Sequence, residues 1–258
     1  MRMIALFIAA LAIAGCATNE TEMRVPAPSL TAIADGVWIH STYEFLDPWG
    51  PYLSQGLVVQ SEYGVFLVDT AWNNHDTDIL LEQIFSVTGE YPKAAVITHA
   101  HNDKAGGAYT LLRRGIPIFI HKLTLLDGRQ RGLIPDEDDA SFDQNAPLSE
   151  LIHAETFRHM WLDGKTIEAF YPGPGHTRDN IVVYVPDADL VFAGCLMRPG
   201  GTRSLGNTTD ANVENWASAV RRVRDEYPDA SIVIPSHGPM GGRELFDHTI
   251  ELAAKPNG

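Results

Sequence analysis

Three side chains able to bind a metal fall at alternate positions in Thr98-His99-Ala100-His101-Asn102-Asp103, directly behind an apolar run that ends at Ile97. Extended backbone sends every second side chain to the same face, so all three can aim at one spot. Two neutral imidazoles and a carboxylate suit a borderline cation such as zinc. A surface His-x-His is commonly only solvated, so the reading depends on whether the chain supplies further ligands. Three later positions do. His176 lies in the turn Gly173-Pro174-Gly175-His176-Thr177, Cys195 ends the apolar run Leu190-Val191-Phe192-Ala193-Gly194, and His237 follows Ile232-Val233-Ile234-Pro235-Ser236. Strand ends entering loops are where sheet-based folds build sites. Six candidate ligands divide into two sets of three, each leaving a position open for water, as catalytic zinc requires.

The elements that must position these ligands alternate between strand and helix. Val37-His40, Gly56-Gln60 and Gly64-Asp69 read as consecutive strands, and Asn74 to Val87 carries apolar residues at helical spacing before Gly89 stops it. Ala94-Thr98 is predicted as a strand, Ala105-Arg113 as a helix and Ile116-Ile120 as a strand. Asp136-Ala146 is acidic and reads as an exposed loop. Strands near Thr166-Tyr171, Ile181-Val185 and Leu190-Ala193 follow, then a helix over Val213-Tyr227, a strand at Ser231-Ile234 and a last helix from about Arg243. Early hairpins, a βαβ-like middle and the repeat of this order in the second half predict an α/β fold. Two mixed sheets with helices on their outer faces would bury these strands.

With 258 residues and 45% hydrophobic content, one large domain is the simplest reading, assigned to 29–258. A net charge of -14 without a basic patch argues against nucleic-acid binding. The start is a targeting segment: Arg2, then an apolar stretch from Met3 to Ile13 too short to span a bilayer comfortably. It reads as a bacterial export signal over 1–15, followed by a tether over 16–28. Ile13-Ala14-Gly15-Cys16 resembles a lipoprotein cleavage site that would leave Cys16 lipidated, with cleavage at Ala14 or Ala17 as the alternative. Ala17 after that cysteine favours the outer membrane, giving a periplasmic protein joined to the membrane only by a lipid anchor. Cys16 and Cys195 are the only cysteines, so lipidation or removal of Cys16 leaves Cys195 without a disulfide partner. Zinc ligation as thiolate then accounts for it.

The run His99-x-His101-x-Asp103 with Gly106-Gly107 behind it resembles the signature of the metallo-β-lactamase superfamily, and the order His176, Cys195, His237 resembles its B1 subclass. The likeness extends over roughly Gly36 to Thr249, including Val68-Asp69-Thr70-Ala71-Trp72 and Ser204-Leu205-Gly206-Asn207. Other superfamily hydrolases carry histidine after the aspartate and a bridging aspartate in place of the cysteine. Here Lys104, which cannot ligate while protonated, and Cys195 stand there. The resemblance implies an αββα sandwich whose two zinc ions sit at the edge between the sheets, His99, His101 and His176 holding one and Asp103, Cys195 and His237 the other. It implies hydrolysis of the β-lactam amide of penicillins, cephalosporins and carbapenems by metal-activated water, without a covalent intermediate. Asp103 would also orient that water.

The same resemblance implies a cation for the substrate carboxylate. Arg198 stands where the family usually has lysine, with Arg203 as the other candidate. Asn207 matches an asparagine placed near the substrate carbonyl or carboxylate. Tyr43 to Tyr52 reads as a loop between strands whose Phe45 and Trp49 form a mobile flap, and Trp72 would wall the pocket. Asp69 is expected to anchor the ligand loop by hydrogen bonds. His40, His75, His121, His153, His159 and His248 show no convergent partner in the sequence. A monomer with a small-molecule substrate is expected. The alternatives are a superfamily hydrolase of another ester, lactone or thioester, and a non-catalytic zinc-binding lipoprotein.

Overall fold

Apolar runs without alternation mark strands covered on both faces, and a computed structural model describing residues 25–136 and 167–255 shows what covers them. In chain order the first elements are strands β1 (Ser29–Ala34), β2 (Val37–Leu46), β3 (Gly50–Ser61) and β4 (Gly64–Val68), then helix α1 (Asn74–Thr88) and β5 (Ala94–Ile97). Two short helices, α2 (Asn102–Ala105) and α3 (Ala108–Arg113), precede β6 (Ile118–Ile120) and α4 (Lys122–Gln130). The second half holds β7 (Glu168–Phe170), β8 (Val182–Val185), β9 (Leu190–Gly194), α5 (Val213–Glu226), β10 (Ile232–Pro235) and α6 (Glu244–Ala254).

β1 to β6 form one sheet in sequential order, antiparallel through β4 and parallel from β4 to β6. β10-β9-β8-β7 form the other, with β10 parallel to β9. Within β3 and β4 the pleat sends neighbours to opposite cores. Leu57, Val59, Phe66 and Val68 pack between the sheets against Val183, Leu190, Phe192 and Ile234, whereas Val58, Val65 and Leu67 pack outward against Leu80, Leu81 and Ile84 of α1. The second sheet likewise sends Val182, Val191 and Val233 outward onto Trp216, Val220 and Phe246 of α5 and α6. The four layers are therefore helix, sheet, sheet, helix, the predicted αββα sandwich.

Helix ends follow their sequence signals. Asn73 Oδ1 accepts from Asp76 N at 2.9 Å to start α1, and Gly89 ends it in the left-handed region at φ 79°. Several expectations change. The Tyr43–Tyr52 segment is no loop: β2 and β3 stay paired out to Leu46↔Gly50, so it is the distal end of a long hairpin. The helix expected over Ala105-Arg113 is two pieces that part at Gly107, where the backbone leaves helical dihedrals at φ -102°, ψ 10°. Strand β1 and helix α4, neither predicted, complete the first sheet and its border; both are short and weakly apolar, so neither stands out by periodicity. Cys16 and most of the acidic segment Asp136-Ala146 lie outside the described residues.

Candidate metal centre

The ligand candidates lie in the segments that follow β5, β7, β9 and β10 along one edge of the sandwich. There the two sheets are stitched by Gln55 N donating to Ser236 O at 2.9 Å and Ile181 N to Thr98 O at 3.0 Å. β5 stops at Ile97, and His99 to Asp103 do not continue as an extended strand. His101 N donates back to His99 O at 3.1 Å, His101 caps α2, and Asp103 stands in that helix's first turn. A helical turn, not strand alternation, therefore delivers Asp103, which still converges with His99 and His101. β9 ends at Gly194, whose φ of 57° only glycine adopts without strain, and that bend delivers Cys195. Ser236 N donates to Gly194 O at 3.1 Å, setting the His237 loop beside Cys195.

The donors resolve into two groups. His99 Nε2 and His176 Nε2 lie 3.1 and 3.2 Å from His101 Nδ1. Cys195 Sγ lies 3.2 Å from His237 Nε2 and 3.7 Å from Asp103 Oδ2, which is 3.5 Å from His237 Nε2. Tetrahedral zinc with ordinary bond lengths would separate nitrogen ligands by ~3.3 Å and sulfur from nitrogen by ~3.6 Å. Both groups fit that spacing. The two groups overlap: His99, His176 and Cys195 converge as a further triple, and so do His99, His101 and Asp103, so all six donors form one continuous cluster.

Three of the four imidazoles have the remote nitrogen occupied, which orients the ring and leaves the converging nitrogen a lone pair. His237 Nδ1 donates to Leu53 O at 2.7 Å, and His101 Nε2 to Asp210 Oδ2 at 2.9 Å. His99 Nδ1 meets Thr98 Oγ1 at 3.2 Å, and that hydroxyl donates to Asp69 Oδ2 at 3.0 Å. Asp69 also accepts from Thr98 N at 2.8 Å, the anchoring role expected of it. The His176 turn is held by Asn180, which accepts from Thr177 N at 3.0 Å and donates to Gly173 O at 3.0 Å.

Beneath the second group lies Lys104, wholly buried, with its ammonium 3.4 Å from Asp103 Oδ2 and 3.6 Å from Asp69 Oδ2. Burial alone would raise the Asp103 pKa, but Lys104 foremost, then His237 and the other imidazoles, hold it well below the usual carboxylate range. Asp103 is thus an ionised acceptor. For Asp69 burial wins over Lys104 and Thr98, pushing it up to about 7. Burial lowers the His99 pKa, with His101 and His176 adding to the effect, so His99 is a neutral donor at physiological pH.

Of the remaining predicted residues, Trp72 borders this centre through Tyr52, and Arg198 lies close enough to act on the His237 and Tyr52 charges. Tyr52 lies tilted over the His237 ring at 5.1 Å and edge-on to Trp72 at 6.4 Å, making one wall of the second group. Phe45 and Trp49 stand at the hairpin tip, Trp49 74% exposed. Arg198 is half-buried, its backbone N bonded to Thr249 Oγ1 at 3.0 Å, and its guanidinium lies against Gly206, where a Cβ would meet both terminal nitrogens at 3.2 Å. Its Nε is buried with no hydrogen-bond partner among the described residues. Asn207 is exposed; its Oδ1 accepts from Thr209 N at 3.0 Å and Oγ1 at 2.8 Å, which leaves its amide nitrogen to face a ligand. Arg203 is exposed.

Sequence reasoning missed Asp210, Ser54 and the burial of Lys104. Asp210 sits in the turn preceding α5 and Ser54 within β3, and no local pattern marks either as a neighbour of the ligands.

The comparisons agree with this geometry. The Metallo-beta-lactamase superfamily matches residues 49–237. The chain is 32% identical over 225 residues to the metallo-beta-lactamase type 2 of Bacillus cereus, covering 87% of this chain and 82% of the relative. It is 32% identical over 240 residues to the one from Pseudomonas aeruginosa, covering 93% and 90%. Among solved structures, metallo-beta-lactamase FIM-1 from Pseudomonas aeruginosa in the mono-zinc form superposes with a TM-score of 0.80 at 38% identity, covering 90% of this chain and 97% of that one. A metallo beta lactamase from Hirschia baltica gives 0.79 at 34% identity, covering 88% and 98%. Matching ligand order, fold and relatives converge: the chain belongs to the metallo-β-lactamase superfamily, and within it to the B1 subclass.

Proposed function

We propose that this chain is a dizinc hydrolase of the β-lactam amide bond, acting on penicillins, cephalosporins and carbapenems. The carrying observation is the continuous cluster of six donors, with His99 and His176 nitrogens 3.1 and 3.2 Å from His101 Nδ1 and Asp103, Cys195 and His237 converging beside them, at spacings that suit two tetrahedral zinc ions. Zinc supplies two things when bound: water that ionises near neutral pH and Lewis-acid stabilisation of developing negative charge.

This chain's residues do the rest. Asp103, kept ionised by Lys104, accepts a hydrogen bond from the attacking water and so aims it at the lactam carbonyl carbon. Arg198 binds the carboxylate beside the ring nitrogen, offering the terminal nitrogens of a half-buried guanidinium that lies against Gly206. Asn207 donates from its amide nitrogen to the carbonyl or carboxylate oxygen, because its own oxygen is committed to Thr209. Tyr52 and Trp72 wall the site, and Phe45 and Trp49 on the hairpin tip fold over apolar substrate groups and exclude water.

The reading extends to location. An N-terminal export signal with a lipidated Cys16 would put the enzyme in the periplasm on the outer membrane, where it would meet incoming antibiotic as a monomer and confer resistance. Mass spectrometry of membrane fractions tests the anchor; an unmodified, soluble mature chain would refute it. The function itself is tested by hydrolysis of one penicillin, one cephalosporin and one carbapenem, with and without a chelator. Activity lost on chelation and restored by zinc is expected. Turnover that survives complete metal removal would overturn the mechanism, and turnover of lactones or thioesters alone would move the chain to another branch of its superfamily.

A further inference from the structure

Helix α4 supplies no ligand, yet two side chains one turn apart at its carboxyl end reach both loops that carry the first donor set. Asp127 takes the Arg178 guanidinium with two oxygens, Nε donating to Oδ2 at 2.8 Å and Nη2 to Oδ1. Arg178 stands just beyond the ligand His176. Arg131, which closes the helix, places Nη2 3.0 Å from Asp210 Oδ2, the same oxygen that accepts from His101 Nε2 at 2.9 Å. A cavity of about 440 Å³, lined by these four charged residues and by His101, lies between the helix and the loops. Ion pairs therefore span what apolar packing leaves open.

Further bonds make the loops one unit. Asp179 Oδ2, buried, accepts at 2.9 Å from the backbone N of Ala100, which stands between His99 and His101. At the amino end of α4 the capping residue His121 stacks on Tyr171 at 4.4 Å, and the Tyr171 hydroxyl donates to Arg178 O at 2.7 Å. Arg178 and Arg131 are 57% and 41% exposed, so neither pair adds much stability. Their common destination is the informative part, since both end on ligands of one set.

We infer that Asp127 and Arg131 of α4 are positioning residues for the first metal set: Asp127 steadies the His176 loop through Arg178, and Arg131 steadies His101 through Asp210. This rests on the reading that His99, His101 and His176 hold a metal. The two residues carry opposite charges, so a direct pull on a cation does not account for both. A brace with two ends does.

The test is titration of metal-stripped protein with cobalt(II), which reports the imidazole set through its ligand-field bands and the second set through the thiolate-to-cobalt band of Cys195. Asp127→Asn, Arg178→Gln and Arg131→Gln should each lower first-set affinity by about 3- to 10-fold and leave the Cys195 band as in the unaltered protein. The sign discriminates. Direct action of these charges on the metal would make both arginine variants bind tighter and only Asp127→Asn weaker. Asp127→Asn combined with Arg178→Gln should cost no more than either change alone, because both break one contact. Unchanged or tighter first-set binding in the arginine variants, or additive losses in the double variant, would overturn the inference. An unaltered protein whose imidazole set takes up no cobalt would remove the ligand assignment, and this inference with it.

Discussion

The two ligand sets adjoin yet are built on opposite principles. The first offers three imidazoles at a partly open edge, the His101 side chain being 20% exposed, and its outer support is the solvent-facing Asp210. The second brings a carboxylate and a thiol together at 3.7 Å in the interior, the thiol donating to Asp103 Oδ2, and places the buried ammonium of Lys104 3.4 Å from the same oxygen. A neutral set needs only orientation. An anionic set needs orientation and compensating charge, and the fold provides a lysine on the same short helix as the ligand it serves.

Cys195→Ser should break the comparison most sharply. Loss of the thiolate should lower second-site affinity more than about 100-fold and leave about one zinc per chain, countable by elemental analysis after dialysis. Two zincs retained would mean that the sets are not independent in the way their geometry states.

Acid should act beneath both sets alike. His40 is buried under the loop that carries Asp69, its Nε2 donating to Val68 O at 3.0 Å and Asp69 O at 3.1 Å, and burial lowers its pKa to about 4. The unfolded chain takes up that proton near pH 6.5, so the His40 contribution is complete above 6.5 and is lost as pH falls toward 4. Its size is about 3 kcal/mol. Calorimetry of the zinc-free protein across this window should show the decline, and His40→Gln should flatten it.

Asp210→Ala should act on the first set alone. Asp210 Oδ2 accepts from His101 at 2.9 Å and from Arg131 at 3.0 Å, and the bond from His101 foremost lowers its pKa. First-site affinity should drop about 10-fold or somewhat more, given the support's partial exposure, with the Cys195 cobalt band unaltered. A change in that band would show that the sets communicate through His101. Smallest is Trp49→Ala at the hairpin tip, outside both sets. KM for substrates with bulky apolar groups should rise about threefold to tenfold with kcat nearly constant, the mark of uniform binding. A matching loss of metal would place the hairpin in the centre's support.

The legible parts of the molecule were those whose cause is local. Gly89 stops α1 because only glycine enters that conformation cheaply, and the apolar runs at Leu57-Val59 and Val65-Val68 announce strands covered on both faces. His99, His101, Asp103, His176, Cys195 and His237 stand out because residue type and strand ends are written in sequence. The Tyr43–Tyr52 segment misled because its aromatic and Gly-Pro content reads as a loop, whereas cross-strand pairing carries β2 and β3 to its tip.

The sequence by itself therefore determined the donor chemistry, the superfamily and the order of the buried strands and longer helices, but not β1 or α4. The tertiary structure decided how the donors are delivered, since a helical turn rather than an extended strand aims Asp103, and it decided what stands behind them. Lys104, Ser54, Asp69 and Asp210 meet the ligands from segments up to 109 residues away. A charge in the interior is tolerated only when its partners arrive with it, and which partners arrive is a property of the packed sheets.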